Sequence, residues 1–310
     1  MVKKRVKDYT QKIIELNING LNGRMLYAPS FNKHKREILL IYGHHSSIER
    51  MLGFAEELNK YGSITMPDLP GFGGMESFYK IHEKPTLDNL ADYLLAFIKL
   101  RFKKRKITII GMSFGFVIAT RMLQKYPEIT KQVSLIISVV GFAHKDDFIL
   151  PKRIKWPLQI GASIFSNKYP ALLLKTFGLR KSIIKYCYLS MANHNSKLKD
   201  ADIEERNKRI EFEIKLWQIN DIRTYMDTGL TMFKLNNCNV QVDLPIYHIV
   251  VNSDRYFDNH RVEQHLAIIY NKVNVINSNQ STHAPTVVAT AKEASVFVPP
   301  EIRKLLLKKL

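Results

Sequence analysis

The sequence predicts an α/β fold: a mostly parallel central sheet of about eight strands, helices on both faces, and an inserted helical lid. Short apolar runs typical of buried strands alternate with amphipathic helical stretches before residue 143, and this alternation resumes after residue 236. Between these positions the periodicity is helical and no run resembles a strand. A Gly-x-Ser-x-Gly sequence also lies where one predicted strand meets a helix.

The N-terminal elements predict an antiparallel hairpin at one edge of the sheet. Residues 11–19 partly alternate apolar and polar side chains, Gly20-Leu-Asn-Gly23 has the composition of a turn, and residues 24–28 form the partner strand. The elements that follow are predicted as strands over 37–42, 63–66, 107–110 and 134–141, with helices over 48–58, 87–101 and from 116 onward.

The second half predicts the lid and then the return of the sheet. Proline and glycine separate helical segments at 157–165, 170–177, 180–191 and 204–217. The later elements are strands over 245–251 and 272–276, helices over 261–270 and from Pro285, and an amphipathic C-terminal tail. We therefore expect a core of residues 1–142 and 237–310, and a helical lid of residues 143–236.

The junction Gly111-Met-Ser-Phe-Gly115 joins a predicted buried strand to a predicted helix. A turn this tight forces Ser113 into strained backbone angles, and only glycine leaves room for the chain that passes beside it. The turn exposes the serine hydroxyl and directs helix N–H groups at the atom that it attacks. We interpret Ser113 as a catalytic nucleophile.

A serine nucleophile needs a histidine base and an acid that orients the base. In this strand–turn–helix arrangement the acid and the histidine follow later strands, in that order. Asp254 comes three residues after the predicted strand that ends at Val251, and His283 lies in the loop after the last predicted strand. The sequence therefore predicts a catalytic triad of Ser113, Asp254 and His283.

Alternatives to two members of this triad remain open. Asp258 is close enough to replace Asp254, although it is also placed to begin the next helix, and Asp146 follows the preceding strand. His283 could be a surface histidine of a loop. None of the other nine histidines follows the last predicted strand, and they include His248, His260 and His265.

Two backbone N–H groups are expected to stabilise the oxyanion of the intermediate. One belongs to Phe114, directly after the nucleophile, and the other to His44, in the loop after the strand over residues 37–42. Two roles are open for the imidazole of His44, which either reaches the substrate pocket or only covers this loop.

Five short segments carry a resemblance to a known family: Tyr42-Gly-His-His45, Asp68-Leu-Pro-Gly-Phe-Gly73, Gly111-Met-Ser-Phe-Gly115, Asn252-Ser-Asp254 and Thr282-His-Ala-Pro285. Together they resemble the α/β-hydrolase superfamily, in its lid-bearing branch, over residues of about 11 to 300. Tyr42 and Asn252 stand where the family usually has histidine and glycine. The resemblance implies a structural role for the Asp68–Gly73 loop, and a serine nucleophile disfavours epoxide hydrolase and haloalkane dehalogenase chemistry.

The resulting prediction is a serine hydrolase that cleaves carboxylic esters of a small to medium apolar acyl substrate, with no metal or organic cofactor. One alternative is an amide or C–C bond hydrolase of the aminopeptidase or ring-cleavage-product hydrolase type. An aminopeptidase would need acidic residues near the pocket, and the first half of the lid lacks them. The other alternative is a ligand-binding protein that keeps this fold without turnover.

The composition of the chain indicates its cellular compartment and which classes of binding partner to expect. The two cysteines, Cys187 and Cys238, give neither a disulfide framework nor a metal-binding spacing. We see no signal peptide and no apolar stretch long enough to cross a membrane, so a cytoplasmic protein is expected. No nucleic-acid module accompanies the net charge of +19, so no nucleic-acid partner is expected. The oligomeric state is not indicated.

The lid has an unusual distribution of charge. Residues 152–199 contain ten Lys and Arg but no acidic residue, together with many large apolar side chains. This pattern fits an ordinary helical cap with solvated lysines, and it also fits a weak contact with an anionic membrane surface. The amphipathic C-terminal segment, residues 302–310, leaves the same two interpretations open.

Overall fold

The computed structural model describes residues 9, 12–31, 36–190, 198, 202–252, 254–278 and 290–308. Within these ranges eight strands form one sheet, as predicted. The strands are Ile13–Ile18 (β1), Leu21–Ala28 (β2), Glu37–Ile41 (β3), Ser63–Pro67 (β4), Ile107–Met112 (β5), Val133–Val139 (β6), Val242–Val251 (β7) and Tyr270–Ser278 (β8).

The strand order is β1-β2-β4-β3-β5-β6-β7-β8. Strands β3 to β8 are parallel to one another, whereas β2 is antiparallel to both of its neighbours, β1 and β4. Every residue of β5 is buried, as its continuous apolar run predicts for a strand covered by helices on both faces. The predicted α/β architecture is confirmed.

The hairpin has a tighter turn than the sequence analysis placed there. Ile18 pairs with Leu21, so the loop is the two-residue Asn19-Gly20, and both residues have positive φ, 51° and 77°. This is the Asn-Gly turn whose twist matches that of a hairpin. The segment from Leu21 to Gly23, predicted as turn, therefore belongs to β2.

The helices occupy most of the predicted positions. Those of the core are Leu52–Leu58 (α1), Leu87–Phe102 (α2), Phe114–Lys125 (α3), Asn259–Ile269 (α9), Ala291–Ala294 (α10) and Pro300–Leu307 (α11). A short 3-10 turn, Ile48–Met51, precedes α1. Pro285, where a helix was predicted to begin, lies outside the described residues. No helix of the described chain is long and apolar enough to span a membrane.

Five further α-helices of the described chain lie between β6 and β7, and we refer to them as the helical insertion. They are Lys152–Phe165 (α4), Lys168–Leu173 (α5), Lys181–Ser190 (α6), Ile203–Ile219 (α7) and Ile222–Lys234 (α8). Helix α8 was not predicted, because Gly229 and several threonines give this segment a low helix propensity. Helices α4 and α5 pack on α8, and α6 packs on α7.

The C-terminal helix is held at the N-terminal ends of the parallel strands. Arg36, directly before β3, is buried and donates through Nη1 to Thr108 Oγ1 of β5 over 2.8 Å. The same guanidinium donates to the carbonyls of Leu306 (3.0 Å) and Lys308 (2.7 Å), which caps α11. Since Ile302 and Leu306 are buried, the apolar face of α11 is already packed against the core.

Candidate active site

Ser113 lies between the last residue of β5 and the first residue of α3. Its backbone angles are φ 48° and ψ −120°, a conformation that is rare for any residue with a Cβ atom. The Ser113 N–H donates to the carbonyl of Val139, at the end of β6, over 2.9 Å. The predicted strained turn between strand and helix is therefore present, and it is held to the neighbouring strand.

The glycines around Ser113 are required by close packing. A Cβ atom on Gly111 would lie 2.6 Å from the Cα of Phe116, and one on Gly115 would lie 2.4 Å from the carbonyl oxygens of both Ile41 and Tyr42. A Cβ atom on Gly43 would lie 3.2 Å from the Cβ of Ser113. The loop after β3 thus lies directly against the serine.

The helix after Ser113 begins with a buried residue, Phe114. The carbonyl of Ser113 accepts from the N–H groups of Phe116 (3.0 Å) and Val117 (3.4 Å), so the helical hydrogen-bond ladder starts beyond Phe114. The N–H of Phe114 belongs to the group of helix N-terminal donors that have no intrahelical acceptor. Such donors, together with the helix dipole, favour negative charge beside Ser113.

His44 follows Gly43, and its imidazole binds the helical insertion. Its Nε2 lies 3.1 Å from the carbonyl oxygen of Tyr225 and 2.9 Å from Thr228 Oγ1, both on α8. Because a carbonyl oxygen only accepts, Nε2 carries the proton and Nδ1 does not. Burial lowers the pKa of His44 to about 4, so the ring is neutral near pH 7.

Asp254 lies just beyond β7, so it and Ser113 are both at the C-terminal ends of the parallel strands. The strand β6 separates them, since Met112 pairs with Val139 and Val139 pairs with Ile249. The Asp254 carboxylate accepts through Oδ1 from the N–H of Tyr256, over 2.8 Å, and from that of Phe257, over 3.3 Å. These two bonds fix the turn that carries the carboxylate.

The two alternative acids have other roles. Asp258 caps α9, accepting through Oδ1 from the N–H groups of His260 (3.1 Å) and Arg261 (3.3 Å). Asp146 is exposed, and its own N–H donates to His144 Nδ1 over 3.2 Å. Its neighbour Asp147, which the sequence analysis did not single out, is fully buried and bonds to His265.

His283 lies outside the described residues. The last described residue before it is Ser278, at the end of β8, and β8 pairs with the strand that leads to Asp254. Of the other histidines, His248 lies within β7, where Nδ1 is 2.9 Å from Ser138 Oγ and burial lowers the pKa to about 4. His260 and His265 lie on α9, as expected.

The family model described as serine aminopeptidase, S33, matches residues 32–265. The chain belongs to this family of α/β-hydrolases. The superfamily resemblance is thereby confirmed, and the chain is a hydrolase by family. A search of curated proteins found no match to this chain.

Solved structures with the same fold come from hydrolases of several kinds. An esterase of Thermogutta terrifontis is 17% identical with a TM-score of 0.59, and the match covers 96% of this chain and 99% of that one. An enol-lactonase of Burkholderia xenovorans LB400 is 11% identical with a TM-score of 0.64 over 95% and 99%. An N-formylmaleamic acid deformylase of Pseudomonas putida S16 is 18% identical with a TM-score of 0.61 over 88% and 94%. At these identities the likeness shows the fold alone.

In this S33-family chain Asp68 organises the loops beneath the site. It is fully buried and accepts from Tyr42 Oη (2.9 Å), the Ile48 N–H (3.0 Å), Arg24 Nε (2.7 Å) and the Gly74 N–H (2.8 Å). Tyr42 stands where the superfamily usually has histidine. Its hydroxyl also accepts from the N–H of Leu69 over 2.7 Å, so it ties the loop after β3 to the loop after β4.

A second buried network joins the insertion to the loop after β3. Glu213, on α7, accepts from Arg50 Nη2 over 2.6 Å, and both side chains are almost fully buried. His45 Nε2 lies 3.7 Å from the same carboxylate, while its Nδ1 lies 3.2 Å from Asn220 Nδ2. The His45 ring also packs on Trp217, with 4.3 Å between ring centroids.

This network was not predicted from the sequence, although α7 carries one signal of it. Ile210, Glu213, Ile214 and Trp217 share one face of α7, with spacings of three and four residues. A carboxylate within an apolar stripe indicates a buried and paired charge. Its partner Arg50 could not be identified in this way, because it lies 163 residues earlier in the chain. No group of three or more His, Cys, Asp or Glu in the described ranges has the geometry of a metal site.

Proposed function

We propose that this protein is a serine hydrolase of carboxylic esters with a small to medium apolar acyl group. Ser113 attacks the acyl carbon, and His283 takes the hydroxyl proton and delivers it to the leaving alcohol. Asp254 orients His283 and stabilises its charged form. The N–H groups of Phe114 and His44 stabilise the oxyanion. Water, activated by the same histidine, then releases the acid and regenerates the serine.

The observation that carries this proposal is the conformation of Ser113. A serine held at φ 48° stores backbone strain, and here it lies at the junction of a buried strand and a helix N-terminus. Gly43 approaches so closely that a Cβ atom added to it would lie 3.2 Å from the Ser113 Cβ, which puts a second backbone segment beside the hydroxyl. This arrangement suits an oxyanion bound between the loop after β3 and the first turn of α3.

Esters are favoured over amine-bearing substrates by the charges of the insertion. A substrate ammonium group would need a carboxylate near the pocket. Residues 152–190 contain no Asp or Glu, and the buried carboxylate on α7, Glu213, is already neutralised by Arg50. We therefore expect the pocket to favour a neutral apolar acyl group.

The helical insertion, predicted as residues 143–236, would act as the lid of this pocket. Helix α8 supports the proposal, because it holds the His44 imidazole and so contacts the same loop that supplies the proposed oxyanion donor. The ring of Tyr225 lies 4.5 Å from that of His44, and Phe114 also packs on this histidine.

The test is hydrolysis of p-nitrophenyl esters of graded chain length, with fluorophosphonate labelling as a parallel readout. Short to medium chains should react, and Ser113→Ala should lose at least about a thousandfold in kcat and all labelling. L-Aminoacyl p-nitroanilides should not be hydrolysed. A wild-type protein that neither labels nor turns over any ester would instead support the non-catalytic ligand-binding alternative.

A matched pair of variants separates Asp254 from its neighbour. Asp254→Asn should lower kcat by about ten-thousandfold, because the amide no longer holds the histidine in the required tautomer. Asp258→Asn should keep near-normal activity, since asparagine caps a helix as well as aspartate does. His283→Ala and His260→Ala form the corresponding pair for the base. Equal losses in the two members of either pair would contradict the assignment.

A further inference from the structure

Helices α4, α5 and α6 form the outer layer of the insertion. They pack on α7 and α8, and those two helices in turn contact the loop after β3 through Glu213, Trp217, Tyr225 and Thr228. From Lys152 to Ser190 only Ala162, Ala171 and Ile184 are buried. We refer to residues 152–190 as the outer layer. Its own packing uses very little of its apolar surface.

Large apolar side chains are concentrated in this outer layer. It holds twelve of the twenty-four large hydrophobic side chains that are exposed in the described part of the chain. The three most exposed of the twelve are aromatic: Trp156 at 68%, Tyr169 at 74% and Tyr186 at 73%. An apolar surface of this extent on a globular protein marks a contact with another molecule or with a membrane.

All charges of the outer layer are positive. Eight Lys and Arg accompany these apolar side chains, and no Asp or Glu occurs among the same residues. Within the described ranges one of the eight forms an ion pair, Lys181 with Glu211 over 3.0 Å. The combination of exposed aliphatic and aromatic residues with cations suits the boundary between anionic headgroups and acyl chains.

From this surface we propose that the outer layer docks the protein onto an anionic phospholipid bilayer. Aliphatic side chains and Trp156 enter the headgroup region, and the lysines and arginines bind lipid phosphates. A second copy of the chain is a poorer occupant, because a two-fold contact would bring one purely basic face against another. This inference does not depend on the proposed ester hydrolysis.

The C-terminal helix is not part of this surface. Its last turn is capped by Arg36 at the N-terminal ends of the parallel strands. The insertion instead follows the C-terminal end of β6, on the opposite side of the sheet along the strand direction. Ile302 and Leu306 are also already buried. One flat bilayer could therefore not bind both segments through their apolar faces.

Tryptophan fluorescence provides a direct test, because the chain contains two tryptophans. In Trp217→Phe the remaining reporter is Trp156. Its emission should shift to shorter wavelength, and acrylamide should quench it less, when vesicles of phosphatidylcholine with phosphatidylglycerol are added at low salt. Phosphatidylcholine vesicles alone should have little effect. If Trp217→Phe does not fold, the difference between wild type and Trp156→Phe gives the same information.

Vesicle co-sedimentation with charge variants supplies the control. Lys168→Glu, Lys175→Glu and Lys185→Glu together should weaken partitioning to anionic vesicles by about 100-fold or more, at roughly fivefold for each basic residue. Lys104→Glu, Lys131→Glu and Lys304→Glu make the same change in net charge with exposed lysines outside the outer layer, so they should retain most of the binding. High salt should weaken wild-type binding.

Three results would overturn the inference. The first is the absence of a Trp156 shift with anionic vesicles at low salt. The second is an equal loss of binding in both triple-lysine variants, which would mean that net charge alone drives association. The third is a dimer in sedimentation velocity that Trp156→Ser dissociates, which would identify a second copy as the occupant. Because Ser113→Ala should bind vesicles as wild type does, failure of the esterase proposal would be seen separately.

Discussion

Replacing Glu213 by alanine tests whether the insertion is fixed to the core by a buried charge pair. The Arg50 and Glu213 side chains are 8% and 3% exposed, and they are joined over 2.6 Å. In Glu213→Ala the guanidinium stays buried, and its other described bond is from Nη1 to the carbonyl of His45, over 3.2 Å. Breaking such a pair from one side costs about 3–5 kcal/mol.

This cost converts into a measurable shift in melting temperature. An unfolding entropy of about 2.1 cal/mol/K per residue gives about 0.65 kcal/mol/K for a chain of 310 residues. Glu213→Ala should therefore lower Tm by about 5–8 °C in calorimetry. The change is large because the desolvated Arg50 loses its counter-ion, and the lost contact itself accounts for less.

Two further variants make the experiment decisive. Glu211→Ala removes a carboxylate from the same helix, but its ion pair with Lys181 is exposed, so Tm should change by less than about 1 °C. Arg50→Met combined with Glu213→Leu replaces both charges by apolar groups and should recover most of the lost stability. The reasoning is refuted if Glu213→Ala and Glu211→Ala melt at the same temperature, or if the double variant is less stable than Glu213→Ala.

Three other variants follow from the same structure. Gly43→Ala places a methyl group 3.2 Å from the Ser113 Cβ and 3.3 Å from the Met112 carbonyl oxygen. Because this crowds the proposed nucleophile, kcat for ester hydrolysis should fall about 10- to 100-fold, while Tm should change little. Asp68→Asn turns an amide N–H₂ toward buried donors and removes one of the two carboxylate partners of Arg24, which keeps its pair with Glu49. The Tm should fall by about 5–8 °C, and an unchanged Tm would contradict the central role of Asp68. His248 has a pKa of about 4 in the folded state and about 6.5 in the unfolded state. The free energy of unfolding should therefore fall by about 3 kcal/mol as pH decreases from about 6.5 toward 4. His248→Asn should flatten this pH dependence in denaturant titrations.

The fold was predictable because its signals are local. The apolar run of β5, the glycines around Ser113 and the position of Asp254 just beyond a strand are each set by a few neighbouring residues and by strand order. The hairpin turn was misplaced by the same kind of argument: Gly20 and Gly23 both suggested a turn, and only the positive φ of Asn19 and Gly20 selects between them.

The contacts that join the insertion to the core could not be predicted in this way. His44 meets Tyr225 and Thr228 across about 180 positions of sequence, and Arg50 meets Glu213 across 163. Neither partner is specified by composition or periodicity near the other, since both bonds depend on how α7 and α8 are placed over the loop after β3. The open question about the His44 imidazole was therefore one that the sequence could not answer.

These contacts also divide the insertion into two layers with different constraints. Helices α7 and α8 are fixed by a buried ion pair, by His44 and by the small apolar core of Ile184, Leu198, Ile210 and Ile214. The outer layer adds almost no buried side chains, so its apolar and basic residues cannot be explained by the stability of the monomer. Substitutions such as Trp156→Ser or Leu172→Ser should thus leave Tm within about 1 °C of wild type, since an exposed side chain gains little from folding. A marked loss of stability in these variants would mean that the outer layer serves the fold, and the case for a docking surface would then fail.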